Sequence, residues 1–332
     1  MKPTDRRSFL KIAGTSLGIG VLYSAYPAAA SAGEAGNLFS ALGKATGEKL
    51  TPFSFLQLSD AHVGFNGPPD PLGTKAFERA VDMVNALPRR PDLVLFTGDL
   101  THDTEDRNIH VQRMKQFQEI SKRMNVPMIR HVPGEHDAGL DSGGLYREVF
   151  GETFYSFDHR GVHFVALDNV TRPKPELGAE QLAWLKKDLA RFPKTAPIVV
   201  FTHRPLFDLR PDWEWFTSDG DEVMNVLSAY DNVTVLYGHI HRDDEHQIGT
   251  VHHYGARSLI FGFPDPNGAT GPRKAVPFDK EHPFKNLGIR TVSFNGTPQP
   301  GTAPLSIQDV ELTAREFRGI NGVQQLLRNP LV

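Results

Sequence analysis

The run Phe53–Leu58 alternates apolar and polar positions with a period of two and ends at Ser59-Asp60, which predicts a first strand. Thr74–Leu87 then places Phe77, Ala80, Val81 and Val84 on one helical face, with Thr74 as the N-cap. Leu93–Thr97 is a short apolar run between Pro91 and Gly98, suited to a buried strand. Residues 109–124 set Met114, Phe117, Ser121 and Met124 along one stripe. Val126–Val132, Val162–Leu167, Ile198–Phe201 and Val233–Tyr237 read as further strands. Helices are predicted over Ala179–Phe192, through Leu182, Leu185, Leu189 and Phe192, and near Asp221–Tyr230. Strands alternating with helices of this length predict an α/β layered fold.

The two ends of the chain differ from this pattern. Residues 262–332 begin with a Pro- and Gly-rich stretch unsuited to long helices, and form an extension expected to pack on the same domain. Within it, Gly288–Phe294 and Leu305–Leu312 are predicted to pair as edge strands. At the other end, Arg6-Arg7-Ser8-Phe9-Leu10-Lys11 precedes a mildly apolar stretch from Ile12 to Tyr26 and an Ala30-Ser31-Ala32 cleavage-type site. Residues 1–32 therefore resemble a twin-arginine export signal, with Asp5 as a modest departure. That resemblance implies recognition by the twin-arginine machinery, a periplasmic or secreted location, and no stable membrane anchor after cleavage. Residues 33–52 read as a linker, and residues 53–261 as the main domain.

Composition narrows the chemistry. The chain has 332 residues and no cysteine, so disulfides, thiolate metal sites and cysteine nucleophiles are excluded. Any metal must be held by His, carboxylate or amide, and fourteen histidines leave room for that. A net charge of -3 provides no electrostatic surface for nucleic acid. Neither a G-x-x-x-x-G-K phosphate loop nor a G-x-S-x-G elbow occurs.

The chemistry-bearing residues fall at the ends of the predicted strands. Asp60-Ala61-His62 follows the first, Gly98-Asp99 the second and Gly134-Glu135-His136-Asp137 the third. His203 follows Ile198–Phe201, and Gly238-His239-Ile240-His241 closes the last. Ligand sites of open α/β sheets lie at the carboxyl ends of the strands, so these groups can converge. Carboxylate oxygens and imidazole nitrogens are the donors that hard and borderline divalent ions take. In an extended loop, a D-x-H or H-x-H tripeptide points its outer side chains the same way. The glycines at 98, 134 and 238 would permit the turns that bring those side chains back over an ion.

This ordered set, D-x-H, G-D, G-x-H-D, H and G-H-x-H, resembles the calcineurin-like metallophosphoesterase family over about residues 53–245. Tyr155-Ser156-Phe157, Val162–Asp168 and Gln181–Leu185 are similar to its phosphodiesterase-like members. The resemblance implies a two-sheet β-sandwich flanked by helices, the four-layer metallophosphoesterase fold, with the site among loops at one end. It also implies two divalent ions: Asp60, His62 and His241 on the first, Asp99 between both, and Glu135, His203 and His239 on the second. His136 would be the catalytic histidine, oriented by Asp137 or Asp168. The implied reaction is hydrolysis of a small phosphate ester by a hydroxide shared between the ions. Among divalent ions Mn or Fe is preferred to Zn, because folding before export would load the site away from competing Zn and Cu.

One position departs from the family pattern. The motif usually reads G-N-H-[DE], and here position 135 is Glu. Glu135 would ligate after a small backbone retreat, or swing away and weaken the second site, or mark a protein that binds metal without hydrolysis. If it ligates, its charge would disfavour dianionic monoesters relative to singly charged diesters. A monoesterase or nucleotidase and a non-catalytic exported metal-binding or sensing protein are the competing readings. His102, Asp103, Glu105 and Asp106 read as solvated loop residues rather than substrate or metal contacts. Arg204 is a phosphate contact or a structural ion pair. His252-His253 reads as structural, and Trp213 and Trp215 as pocket wall or loop packing.

Overall fold

Strand β1 (Phe53–Leu58) is buried at every position, including the polar Ser54 and Gln57. Its alternation therefore does not mark one wet face, since both faces are covered. In this computed structural model, which describes residues 45, 47–296, 305–313, 316–318 and 324–326, Phe53 and Phe55 face a second sheet. Their rings lie 6.1 and 5.5 Å from that of Phe164. Leu56 and Leu58 face the helices Lys75–Asn85 and Arg107–Ser121. There Phe96 lies 5.6 Å from Phe77 and 4.9 Å from Phe117, edge to face with both.

β1 belongs to a five-stranded sheet with β2 (Leu93–Thr97), β3 (Ile129–Val132), β10 (Gly288–Phe294) and β11 (Leu305–Glu311), in the order β11-β10-β1-β2-β3. β1, β2 and β3 are parallel, while β10 and β11 run antiparallel to their neighbours. The second sheet has six strands: β4 (Tyr155–His159), β5 (Val162–Ala166), β6 (Pro197–Phe201), β7 (Asn232–Tyr237), β8 (Asp244–Ile248) and β9 (Val251–Gly255). Their order is β4-β5-β6-β7-β9-β8, with β5, β6, β7 and β9 parallel and β4 and β8 antiparallel at the edges. Helices Gly178–Leu189 and Gly220–Leu227 supply Leu185, Leu189, Val223 and Leu227 to the core of this sheet. The result is the four-layer α/β arrangement of two mixed sheets flanked by helices.

Several local expectations change. β3 starts at Ile129 rather than Val126, after the turn that closes the preceding helix. Thr74 takes the N-cap position without a side-chain cap bond, whereas Asp106 caps its helix by accepting from the N–H groups of Asn108 and Ile109. The pair Gly288–Phe294 and Leu305–Glu311 forms, but β10 is an interior strand, bonded on one side to β1 and on the other to β11. The residues expected to be an export signal lie outside those described. In the segment read as a linker, Leu50 is buried in the sandwich core and Thr51 donates to the Arg160 carbonyl at 3.3 Å.

β10 also carries Arg290, a buried cation within the sandwich. It makes a two-pronged pair with Asp309 at 2.9 and 3.0 Å, and donates to Gln57 Oε1 at 3.2 Å and to the Gly255 carbonyl at 2.8 Å. Gln57 in turn donates to the Tyr237 carbonyl at 3.0 Å. This network crosses from one sheet to the other. Arg290→Ala removes the partner of the Asp309 carboxylate and of Gln57 Oε1, and should destabilise the fold by about 3–5 kcal/mol in urea melts. A loss below about 1 kcal/mol would show that the network is dispensable.

Candidate metal centre

Asp60, Asp99, Glu135, His203 and His239 each follow the carboxyl end of a parallel strand, β1, β2, β3, β6 and β7 respectively. The loops converge by an unusual backbone. Asp60, His62, Asp99, His239 and His241 have φ of 54°, 41°, 48°, 65° and 52°. The left-handed region costs an L-residue about 1–2 kcal/mol, so convergence does not arise from the extended D-x-H and H-x-H geometry expected. The conformations are held by bonds between loops: Asp60 N–H to the Gly98 carbonyl at 3.1 Å, His62 N–H to the Asp99 carbonyl at 2.9 Å, and Val63 N–H to the Leu100 carbonyl at 3.1 Å.

Two glycines serve close approach rather than turning. A Cβ on Gly134 would lie 2.0 Å from Asp99 Oδ1, and one on Gly238 would lie 2.0 Å from Ser59 Oγ and 2.7 Å from Asp60 Oδ2. The third, Gly98, has φ +92°, and a Cβ there would meet His203 Nδ1 at 2.3 Å.

All seven expected ligands come together in two groups, Asp60–His62–His241 and Asp99–Glu135–His203–His239. In the first, His241 Nε2 lies 3.2 Å from both Asp60 Oδ1 and His62 Nε2. In the second, Glu135 reaches His203 Nε2 and His239 Nδ1, each at 2.8 Å. Glu135 therefore lies within the group and does not swing away. Asp99 Oδ2 joins the two, 3.3 Å from His62 Nε2 and 3.4 Å from His203 Nε2. Asp99 Oδ1 is meanwhile fixed by the His136 N–H at 3.0 Å.

The donors suit a divalent cation. Glu135 Oε2, His203 Nε2 and His239 Nε2 are buried and complete no hydrogen bond, a costly state that an ion relieves. His203 Nδ1–H donates to the Thr97 carbonyl at 2.7 Å, and His241 Nδ1–H to the Phe261 carbonyl at 2.8 Å. Those bonds fix the tautomers and turn both Nε2 lone pairs into the site, as outer-shell partners of metal-ligating imidazoles do. Burial opposes charge on Glu135, but His239 and His203 outweigh it and hold its pKa well below the ordinary value. The same balance, chiefly through His241, lowers Asp60. His62 is pushed well down by burial and neighbouring imidazoles, and burial brings His239 to about 4. His203 goes the other way: burial disfavours its charge, yet Asp99 and Glu135 raise it well above the usual value.

His136 borders the junction, with Nε2 3.9 Å from Asp99 Oδ2. Neither expected partner orients it. Asp137 turns inward and accepts from the N–H groups of Leu100, Thr101 and Gly134 and from the Thr101 hydroxyl, at 2.8–3.0 Å. Asp168 is held in its own turn by Val170, Thr171 and the Thr171 hydroxyl, at 2.5–3.1 Å. Both carboxylates organise loops. The partner of His136 is Asp103, at 2.7 Å from Nδ1, a residue read from the sequence as solvated loop charge. Burial lowers the His136 pKa, but Asp99 and the Asp103 bond raise it to about 9. His102 stacks on His136 with ring centroids 4.7 Å apart. The spacing of Asp103, four residues beyond Asp99, was the available signal, but contact depends on how that loop folds back.

The residues set aside also find places. Arg204 Nε lies 3.6 Å from Glu135 Oε2, which makes it part of the centre. His252 and His253 sit on β9 and join no ligand group among the described residues. Trp213 and Trp215 pack with Tyr237 and Ile240, and Trp213 Nε1 donates to the Gly271 carbonyl at 3.0 Å.

The family model of the calcineurin-like phosphoesterases matches residues 53–243. The chain belongs to that family, whose members depend on divalent metal. It is 28% identical over 203 residues to a probable glycerophosphodiester phosphodiesterase of Arcobacter nitrofigilis, covering 56% of this chain and 71% of the relative. To a 3',5'-cyclic-nucleotide phosphodiesterase of Nostoc it is 26% identical over 225 residues, covering 65% and 81%. A dimetal phosphatase from Danio rerio shares the fold, with a TM-score of 0.54 at 13% identity over 78% of this chain and 98% of that one.

The electrostatics make ion binding proton-linked. An ion requires neutral His203, whose pKa is raised in the ion-free protein, so binding releases a proton. Affinity should fall as pH drops below the raised value, while the lowered carboxylates contribute little until strong acid. Calorimetry with Mn in buffers of different ionisation enthalpy should show release of about one proton for the second group. Binding without proton release would contradict this.

Proposed function

We propose that this chain is an exported phosphoesterase that uses two divalent ions, Mn or Fe before Zn, to hydrolyse a small phosphodiester in preference to a monoester. The observation that carries the reading is Asp99: one carboxylate oxygen within 3.4 Å of histidines from both ligand groups. When bound, a pair of divalent ions supplies an acidified water and positive charge for the phosphoryl oxygens. Asp60, His62 and His241 would hold one ion, Glu135, His203 and His239 the other, with Asp99 between them.

The remaining chemistry falls to this chain's own side chains. His136 has its Nε2 edge toward Asp99 and is 28% exposed, so it can meet a substrate that enters the centre. Protonated, it donates to the departing ester oxygen, a role worth about 100- to 10,000-fold. Asp103 fixes its orientation through Nδ1 and favours the protonated form. Glu135 places a carboxylate where the family motif has an amide, and its negative charge penalises a dianionic monoester more than a singly charged diester. Phosphodiesterases are among the relatives, beside phosphatases at similar identity, so the preference rests on Glu135. Arg6-Arg7 and Ala30-Ser31-Ala32 support export through the twin-arginine machinery to the periplasm or beyond.

The purified protein with Mn should hydrolyse bis(p-nitrophenyl) phosphate faster than p-nitrophenyl phosphate, and Asp99→Ala should reduce the rate to background. Glu135→Asn should raise monoester turnover relative to diester turnover. A rate that survives Asp99→Ala rejects the mechanism, and no metal-dependent rate at all favours a non-catalytic metal-binding protein. An unchanged ratio removes the role given to Glu135.

Asp103→Ala should lower kcat by about 10- to 100-fold on a diester with an alkyl leaving group, less than His136→Ala does. Nitrophenolate departs without a proton, so its release should be nearly unaffected. Equal losses on both substrates would deny Asp103 its part in proton donation.

A further inference from the structure

Arg204 follows β6 directly after the ligand His203, and its side chain is 10% exposed. Its backbone is clamped by Asn169: the Arg204 N–H donates to Asn169 Oδ1 at 3.3 Å, and Asn169 Nδ2 donates to the Arg204 carbonyl at 3.0 Å. Arg204 Nη1 donates to the Glu214 carbonyl at 3.0 Å, and Glu214 itself has φ 61°. The guanidinium is thus held so that Nε faces Glu135 Oε2 at 3.6 Å, and neither atom completes a hydrogen bond. A buried cation needs a counter-charge, and Glu135 is the carboxylate it faces. Position 135 is also where the chain departs from the neutral amide of the family motif.

We propose that Arg204 is the charge partner of Glu135, which partly cancels the negative charge of that carboxylate and so sets the second group's affinity for its ion and the penalty on dianionic esters. Counted together, Asp99, Glu135 and Arg204 carry one negative charge, the same as Asp99 beside a neutral amide. Cancellation is incomplete because the carboxylate touches His203 and His239 at 2.8 Å, whereas the guanidinium meets the group through Glu135. The fold therefore carries a longer anionic ligand together with the cation that tempers it. The effect on esters rests on the function proposed above; the effect on ion affinity does not.

The test is a double-mutant cycle on the full chain, with Mn binding followed by electron paramagnetic resonance and turnover of the two nitrophenyl esters measured in parallel. Arg204→Gln should tighten the weaker Mn ion by about tenfold and deepen the preference for the diester. Glu135→Gln should weaken that ion and shift preference toward the monoester, and adding Arg204→Gln in that background should change neither readout by more than about threefold, because the carboxylate through which Arg204 acts is gone. Arg204→Lys keeps the charge and should leave ion affinity unchanged. Should Arg204→Gln not fold, Glu135→Gln and Arg204→Lys decide the matter, and a tenfold loss of affinity in Arg204→Lys overturns the proposal. A higher KM for both esters with unaltered Mn affinity would make Arg204 a direct phosphate contact and also overturn it. Opposed shifts in Mn affinity without any hydrolysis would uphold this pairing and reject the enzymatic reading instead.

Discussion

Asp99 is buried at the junction of two loops and two ligand groups, and most of the centre is arranged around it. One oxygen accepts from the backbone of His136; the other faces His62, His203 and His136 within 3.9 Å. The absence of a Cβ on Gly134 admits that carboxylate, and its own left-handed φ of 48° directs it inward. Such a group is unfavourable in a dry interior unless positive charge is shared with it. His203, whose pKa Asp99 and Glu135 raise against the effect of burial, is the histidine best placed to share positive charge with it.

Much of this was legible in the residue order. Motifs such as Asp60-Ala61-His62 and Gly238-His239-Ile240-His241 stand immediately after apolar runs, so their position at strand ends follows from local pattern alone. The layered α/β class follows from the same alternation. What was not legible depends on contacts between distant segments. No periodicity announces that five ligands adopt left-handed backbone, because the compensating bonds run between loops, from the loop after β1 to that after β2 and from the His239 N–H to the Asp60 carboxylate. Asp103 looks like an ordinary loop charge until the fold brings it to His136, and Arg204, readable as a phosphate contact or a structural ion pair, meets Glu135 only once β3 and β6 share one end of the sandwich. Asp137 and Asp168 misled for the converse reason, being carboxylates near the motif that the backbone itself consumes.

The C-terminal extension is more deeply involved than its Pro and Gly content suggests. The Phe261 carbonyl, just before it, fixes the tautomer of His241. The Gly271 carbonyl accepts from Trp213, and β10 threads into the sheet beside β1 with Arg290 spanning to the second sheet. Phe261 and Phe263 pack on His241 with centroids 4.8 and 4.9 Å away. The segment is a wall of the centre.

β1 and β10 pair Phe53 with Phe294, so one of the earliest ordered strands waits for one of the last. During synthesis β1 has β2 on one flank and an open edge on the other until residues 288–294 emerge. Asp60 and His62 extend from this half-paired strand, and His241 has no Phe261 carbonyl to orient it until translation passes that point. Contacts of such long sequence separation close slowly. The group of Asp60, His62 and His241 is therefore set in place by segments that lie far apart along the chain.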